Sequence, residues 1–180
     1  MFALIGKFKG YFPGYSRLVV DHNYLTWCIL KAHTENRGGT VTLRSRDPRD
    51  PPQINFHYFR EGTDPAGEDL RSVVEGIKFV RGLTANATDI IAEEELPGAA
   101  KQTTKELGEF VEANAWGHHA SCTCPIGPAS DRMAVLDNNF RVYGTSNLRV
   151  VDASVFPRIP GFFIVSCVYM WTAYSKGARL

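Results

Sequence analysis

One change of apolar period constrains this chain more than any other feature. Leu70, Val73, Val74, Ile77, Val80 and Leu83 recur at helical spacing, which lines them along one side of an α-helix. Asp64-Pro65 marks the start, with Asp64 as N-cap and Pro65 at the first helical position, where a missing N–H is harmless. Upstream the texture differs. Leu18 to Thr34 is rich in β-branched and aromatic residues and suits two strand segments. Asn36-Arg37-Gly38-Gly39 reads as a turn and Thr40 to Ser45 alternates again, so the pattern predicts an antiparallel hairpin. Asp47 to Pro52 is a proline-rich loop, Ile54 to Phe59 one short further strand, and Thr104 to Ala113 a second helix between the loop ELPGA and Trp116. The class is α+β: an antiparallel sheet with flanking helices.

Composition narrows the functions open to such a fold. The chain has 180 residues and a net charge of +1, with no charge excess to attract nucleic acid or an anionic membrane. That length can bury roughly 70% of the unfolded surface, enough for a core without staples. Four cysteines do not make a disulfide scaffold here. The apolar opening Met1 to Ile5 breaks at Gly6-Lys7, too short for a secretory signal. Gly161 to Tyr174 is the most apolar stretch, and it falls short of the ~20 residues of a membrane span. It reads as a buried core helix, and the chain as cytoplasmic.

Three regions follow. Residues 1–16, with glycines at 6, 10 and 14 and Pro13, form an irregular N-terminal segment. Residues 17–115 hold the strands and helices above. Residues 116–180 open with WGHHASCTCPIGP, dense in reactive side chains. Phe140 to Tyr143 and Leu148 to Val151 are strand-like and flank the turn Gly144 to Asn147; Asp152-Ala153-Ser154 ends the second strand. Pro157 to Gly161 makes a corner before the apolar helix. None of the sixteen glycines stands two residues from another, so there is no G-x-G-x-x-G fingerprint to seat a pyrophosphate at a helix N-terminus. Gly62 and Gly67 have the outer spacing of a P-loop, but Glu68 follows where lysine is required.

His118, His119, Cys122 and Cys124 invite a zinc reading, which the spacing opposes. The cysteines stand as C-x-C and the histidines are adjacent, whereas structural zinc takes separated pairs with wider arms. No metal site is expected. The cluster can be loop packing, since free cysteine behaves as a small hydrophobe. It can equally place a histidine as general base, whose ordinary pKa lies near neutrality. Spacing within the loop does not choose.

Resemblance does. Trp116-Gly117-His118-His119-Ala120-Ser121-Cys122-Thr123-Cys124-Pro125-Ile126-Gly127, then Ala134-Val135-Leu136-Asp137, Phe140 to Gly144 and Asn147 to Pro157 resemble the C-terminal signature of the glucose–methanol–choline (GMC) flavoprotein oxidoreductases. The likeness covers roughly residues 116 to 175, and the upstream hairpin, proline loop and long helix resemble that family's substrate-binding domain. The resemblance implies FAD as cofactor and oxidation of CH–OH donors, with an alcohol as substrate and hydride passing to flavin N5. Matching the family's H-x-x-x-T-C loop selects His119 to accept the hydroxyl proton, with His118 beside it at the flavin pocket and sharing the catalytic assignment. Asp152 and Ala153 would approach the FAD, as would the backbone N–H groups of Phe163 and Ile164.

Phe163 stands where the family's pattern has a second catalytic His or Asn, and its ring cannot take up a proton. Either His118 or another group substitutes, the substrate differs, or catalysis is lost. The final strand and helix would return to an FAD domain that these residues do not include. The resemblance therefore implies the C-terminal portion of an oxidoreductase, inactive and binding little or no FAD alone. The alternative is a non-catalytic subunit that docks on a separate flavin-binding chain.

Overall fold

The computed structural model of the protein describes residues 2–4, 25–117 and 119–177. The fold is α+β, and the chain divides into two units, Phe2–Trp116 and Gly117–Leu180. In the first unit β1 (Phe2–Leu4) pairs antiparallel with β2 (Ile29–Lys31), Ala3 opposite Leu30. Separately, β3 (Thr40–Thr42) pairs antiparallel with β4 (Gln53–Asn55), Val41 opposite Ile54. Two helices follow, α1 (Glu68–Thr84) and α2 (Thr104–Asn114).

The core of this unit is the meeting of two apolar stripes. Val73, Val74 and Ile77 of α1 bury against Leu107 and Val111 of α2, with Ile29, Phe59, Leu70 and Phe110 around them. Each such side chain contributes about 1.5–3 kcal/mol when fully buried. The stripe is shorter than its sequence period, for Leu83 faces solvent. A Cβ placed on Gly76 would lie 2.6 Å from Cγ2 of Ile29. Glycine inside α1 thus lets β2 pack directly on the helix.

Strand pairing departs from expectation. The Asn36–Gly39 segment does not close a hairpin between β2 and β3; β2 pairs with β1, and β3 with β4 across the proline-rich loop. Polar side chains have taken the backbone donors that such a hairpin would use. Asp69 accepts the N–H groups of Glu35 and Asn36, each at 2.9 Å. Asn36 Oδ1 accepts from the N–H of Gly38 at 2.9 Å and of Thr63 at 3.1 Å. The strand expected over Ile54 to Phe59 is shortened to β4, since His57 has φ 45°, a left-handed conformation that leaves the ladder. Within the segment expected to be irregular, Phe2–Leu4 is a strand because β2 supplies its hydrogen-bonding partners; residues 5–16 lie outside the described residues.

The helix starts show side-chain chemistry directly. α1 begins at Glu68 rather than Pro65, because Pro65 enters a turn closed by Gly67 N–H donating to the Asp64 carbonyl at 3.1 Å. Asp64 still caps, from outside the helix: its carboxylate accepts from the N–H of Glu68 at 2.9 Å and of Asp69 at 2.8 Å. At α2 the Thr103 hydroxyl accepts from Glu106 N–H at 3.2 Å, and Glu106 Oε2 accepts from Thr103 N–H at 2.9 Å, a reciprocal capping box. Thr103→Ala is expected to lower unfolding free energy by about 1 kcal/mol, read from urea midpoints at constant m-value.

The N–H groups of Asp69 and Glu68 hold the Asp64 carboxyl below the usual carboxylate range, and Thr103 does the same for Glu106. A carboxyl depressed in the folded state stabilises above its ordinary pKa. That contribution is lost as pH falls through the folded value. Melting temperature is therefore expected to fall on acidification below the ordinary carboxylate range, and less steeply in Asp64→Asn.

In the second unit Leu136, Phe140 and Val155 are fully buried, with Cys124, Ile126, Val142, Val150 and Trp171 packed on them. The two strand-like segments do meet across their turn: Val142 N–H donates to Leu148 O at 3.0 Å and Val150 N–H to Phe140 O at 3.2 Å. They pair through isolated bridges such as Arg141 with Arg149, not a continuous ladder. The last helix, α3 (Val165–Gly177), lays Trp171 edge-on to Phe140, ring centroids 5.4 Å apart. The expected buried core helix is corrected here. Val165, Tyr169, Met170 and Tyr174 are 60–75% exposed. A helix apolar all round finds cover for one face in so small a unit. Among the described residues no helix is long and apolar enough to cross a membrane.

Candidate active site

The histidine loop is fastened along the segment that precedes α3. Cys122 N–H donates to Ala153 O at 3.2 Å, Cys124 N–H to Ser154 O at 2.9 Å, and Ile126 N–H to Val155 O at 3.0 Å. Alternate residues of the loop thus pair with successive carbonyls of a 3-10 turn, Ala153–Val155. Alternation turns Cys124 and Ile126 toward the buried Leu136 cluster. All four thiols are free, and among the described residues no His, Cys, Asp and Glu grouping could hold a metal ion.

Asp152 caps that 3-10 turn. Its Oδ1 accepts from Ser154 N–H at 2.8 Å and from the Ser154 hydroxyl, so the carboxylate is engaged locally while Ala153 offers its carbonyl to Cys122. Val155 at the end of the turn and Phe156 just after it are buried, and the chain reaches Gly161, where φ is 77°. This left-handed geometry suits glycine.

Past Gly161 the backbone carbonyl of Phe162 lies 3.0 Å from Nδ1 of His119. The Phe163 ring meets the imidazole edge-on, centroids 6.1 Å apart at 72°. Ile164 is 7% exposed and pins the chain just before α3. The structure therefore brings His119, Phe163 and Ile164 to the start of one helix, with Asp152 and Ala153 tied to the same loop through Cys122. His118 lies outside the described residues. Sequence reasoning missed the Phe162 carbonyl; the Pro160-Gly161 pair was the only signal, since a backbone group leaves no mark of its own in residue identity.

The donors at this end of α3 suit a flavin ring. The first N–H groups of a helix have no carbonyl partner within it, and no acidic side chain occupies the first turn of α3. The pyrimidine edge of an isoalloxazine presents the carbonyl and ring-nitrogen acceptors that such donors need. An open groove in the first unit is lined by His57, Tyr58, Arg60, Glu61 and Glu112. Its polar side chains are paired with each other, His57 Nδ1 with Glu61 at 2.8 Å and Arg60 with Glu112.

Residues 34–172 match the family model described as GMC oxidoreductase. The chain is 44% identical over 148 residues to the glucose methanol choline oxidoreductase atC of Aspergillus terreus, covering 82% of this chain and 23% of that protein. It is 41% identical to an oxygen-dependent choline dehydrogenase of Staphylococcus xylosus, covering 75% and 24%. Among solved structures, an FAD-dependent oxidoreductase from Chaetomium thermophilum superposes with TM-score 0.64 at 26% identity, over 78% of this chain and 24% of that one. The chain spans about a quarter of the length of the curated relatives it matches.

Proposed function

The chain belongs to the GMC oxidoreductase family, its matched residues forming the C-terminal part, and from this we propose that it carries the substrate-facing half of an alcohol-oxidising site. The observation that supports this most is His119, held at 3.0 Å by the Phe162 carbonyl beside the helix start suited to a flavin. FAD, when bound, supplies the two-electron acceptor for the hydride leaving the alcohol carbon. His119 takes the hydroxyl proton as that hydride leaves, which lowers the cost of forming the alkoxide. His118 is assigned to the wall of the flavin pocket and to a supporting share in proton handling.

The N–H groups of Phe163 and Ile164 would hold the ring edge. Ala153 would approach the cofactor through its backbone, because the Asp152 carboxylate already caps the 3-10 turn. Phe163 brings no acid or base, so His119 handles the proton without a partner at that position. The ring instead makes that side of the site apolar.

These 180 residues alone are expected to bind little or no FAD, since they contain no glycine fingerprint for the pyrophosphate. The rest of the cofactor site would come from a flavin-binding fold, in the same polypeptide or in a separate subunit. The exposed Val165, Tyr169, Met170 and Tyr174 of α3 support such a docking, as contiguous apolar surface commonly marks an interface.

Visible absorbance tests the reading. The chain alone, mixed with FAD and desalted, is expected to emerge without flavin bands. Completed with a flavin-binding fold, it is expected to retain them and to lose their colour on anaerobic addition of an alcohol. Stoichiometric flavin on the isolated chain, or no bleaching by any alcohol in the completed protein, would overturn it. Co-purification with a distinct flavin chain would favour the subunit arrangement.

A further inference from the structure

We infer that Phe163 is a specificity-determining residue, whose ring selects alcohols with an apolar group on the carbinol carbon over those that place a hydroxyl or an ammonium there. That role rests on the alcohol being oxidised beside His119, as proposed above. The Phe163 ring meets the imidazole edge-on, centroids 6.1 Å apart at 72°. A carbinol carbon held at His119 therefore brings its substituent against the phenyl group. The family pattern has a His or Asn at this position, and either side chain would hydrogen-bond a polar substituent. Phenylalanine has no donor or acceptor to offer one.

The ring is fixed in place and left uncovered. Gly161, at φ 77°, turns the chain before it, and buried Ile164 anchors the chain behind it. Between these two points the side chains of Phe162 and Phe163 are 55% and 67% exposed. Two adjacent phenyl groups beside a histidine are apolar surface that an apolar substituent gains by covering. Charge points the same way. From Trp116 to Ser130 and from Ala153 to Leu180 the sequence has no Asp or Glu. The Asp152 carboxylate is engaged by Ser154. These segments bring an ammonium no counter-ion, and Arg158 adds a like charge. A phenyl ring by itself attracts an ammonium only weakly at an exposed site.

The test uses the protein completed with its flavin-binding fold. Anaerobic flavin reduction gives kcat/KM for n-propanol and ethylene glycol, isosteres in which a methyl replaces a hydroxyl. The wild-type protein is expected to favour n-propanol by about tenfold or more, the scale on which apolar pockets discriminate. In Phe163→Asn that ratio is expected to fall by about threefold or more. Phe163→Leu keeps an apolar side chain and should hold the ratio within about threefold. The ring lies outside the buried core, so both exchanges leave the fold intact. A smaller wild-type ratio, an Asn variant that keeps it or a Leu variant that loses it would overturn the inference. Faster reduction by choline than by n-propanol would do the same.

Binding without turnover separates selection from chemistry. Cumyl alcohol, a tertiary aryl alcohol, has no hydrogen on its carbinol carbon and cannot yield a hydride. Its dissociation constant, read from perturbation of the flavin absorption bands, is expected to rise about threefold or more in Phe163→Asn. An unchanged constant, or no binding to the wild-type protein, would overturn the role of Phe163. No bleaching of the flavin by any alcohol would instead overturn the alcohol-oxidising role, and the cumyl alcohol titration would still decide what Phe163 selects.

Discussion

Replacing His119 by alanine, in a protein completed with its flavin-binding fold, is expected to slow alcohol-dependent flavin reduction by about 10²–10⁴-fold, the range for a positioned general base. The effect should fall on the rate of reduction at saturating alcohol more than on the alcohol concentration needed, because the lost interaction develops in the transition state. Folding should be little affected. The contact with the Phe162 carbonyl is exposed, and the carbonyl can turn to water in its place. Stopped-flow absorbance at the flavin bands, with circular dichroism as the fold control, checks both halves. A loss below about threefold would place the proton elsewhere, His118 being the adjacent candidate. Asp152→Ala is a useful contrast, because it removes the cap of the 3-10 turn and leaves the imidazole itself in place.

Asp69→Ala is expected to cost about 3–5 kcal/mol of unfolding free energy, the range for breaking a buried charged pair. Asp69 is fully buried in the first turn of α1, accepts the N–H groups of Glu35 and Asn36, and lies 3.4 Å from Lys31 Nζ. Removing the carboxylate leaves two backbone donors without their acceptor and strands the Lys31 ammonium in a largely buried place. Each lost acceptor carries the desolvation cost of its donor. Asp69→Asn should cost less, since an amide oxygen can still accept one of the two N–H groups. Urea unfolding monitored by far-UV circular dichroism measures it, and a loss under about 1 kcal/mol would show that water replaces the carboxylate freely. The same residue explains why the sheet is divided. By holding the Glu35–Asn36 backbone against α1, it withdraws those donors from pairing with β3.

Helices were the legible part of this fold. The period of α1 follows from residues on one face, and the Thr103–Glu106 box of α2 lies wholly in local sequence. Pairing of the strands was not legible, because β2 could meet β1 or β3 with equal local propensity. The choice fell to Asp69, a side chain more than thirty positions from the Glu35 and Asn36 donors it binds, and to Asn36, whose amide oxygen also takes the distant N–H of Thr63. The exposure of α3 was equally hidden. Its residues report that every face is apolar, but not how much cover a unit of this size can provide.

At the site, His119 and Phe163 could be singled out from the sequence through the family pattern, and Asp152 as a turn cap from its residue type. That the imidazole meets the Phe162 carbonyl could not. By itself the sequence determined the α+β class, the two amphipathic helices, the family and the histidine loop, since each is carried by side-chain identity at short spacing. Tertiary structure alone decided which strands pair, which face of α3 is covered and which nitrogen of His119 faces a carbonyl. Those depend on backbone groups, which are the same in every residue and acquire partners only when distant segments meet.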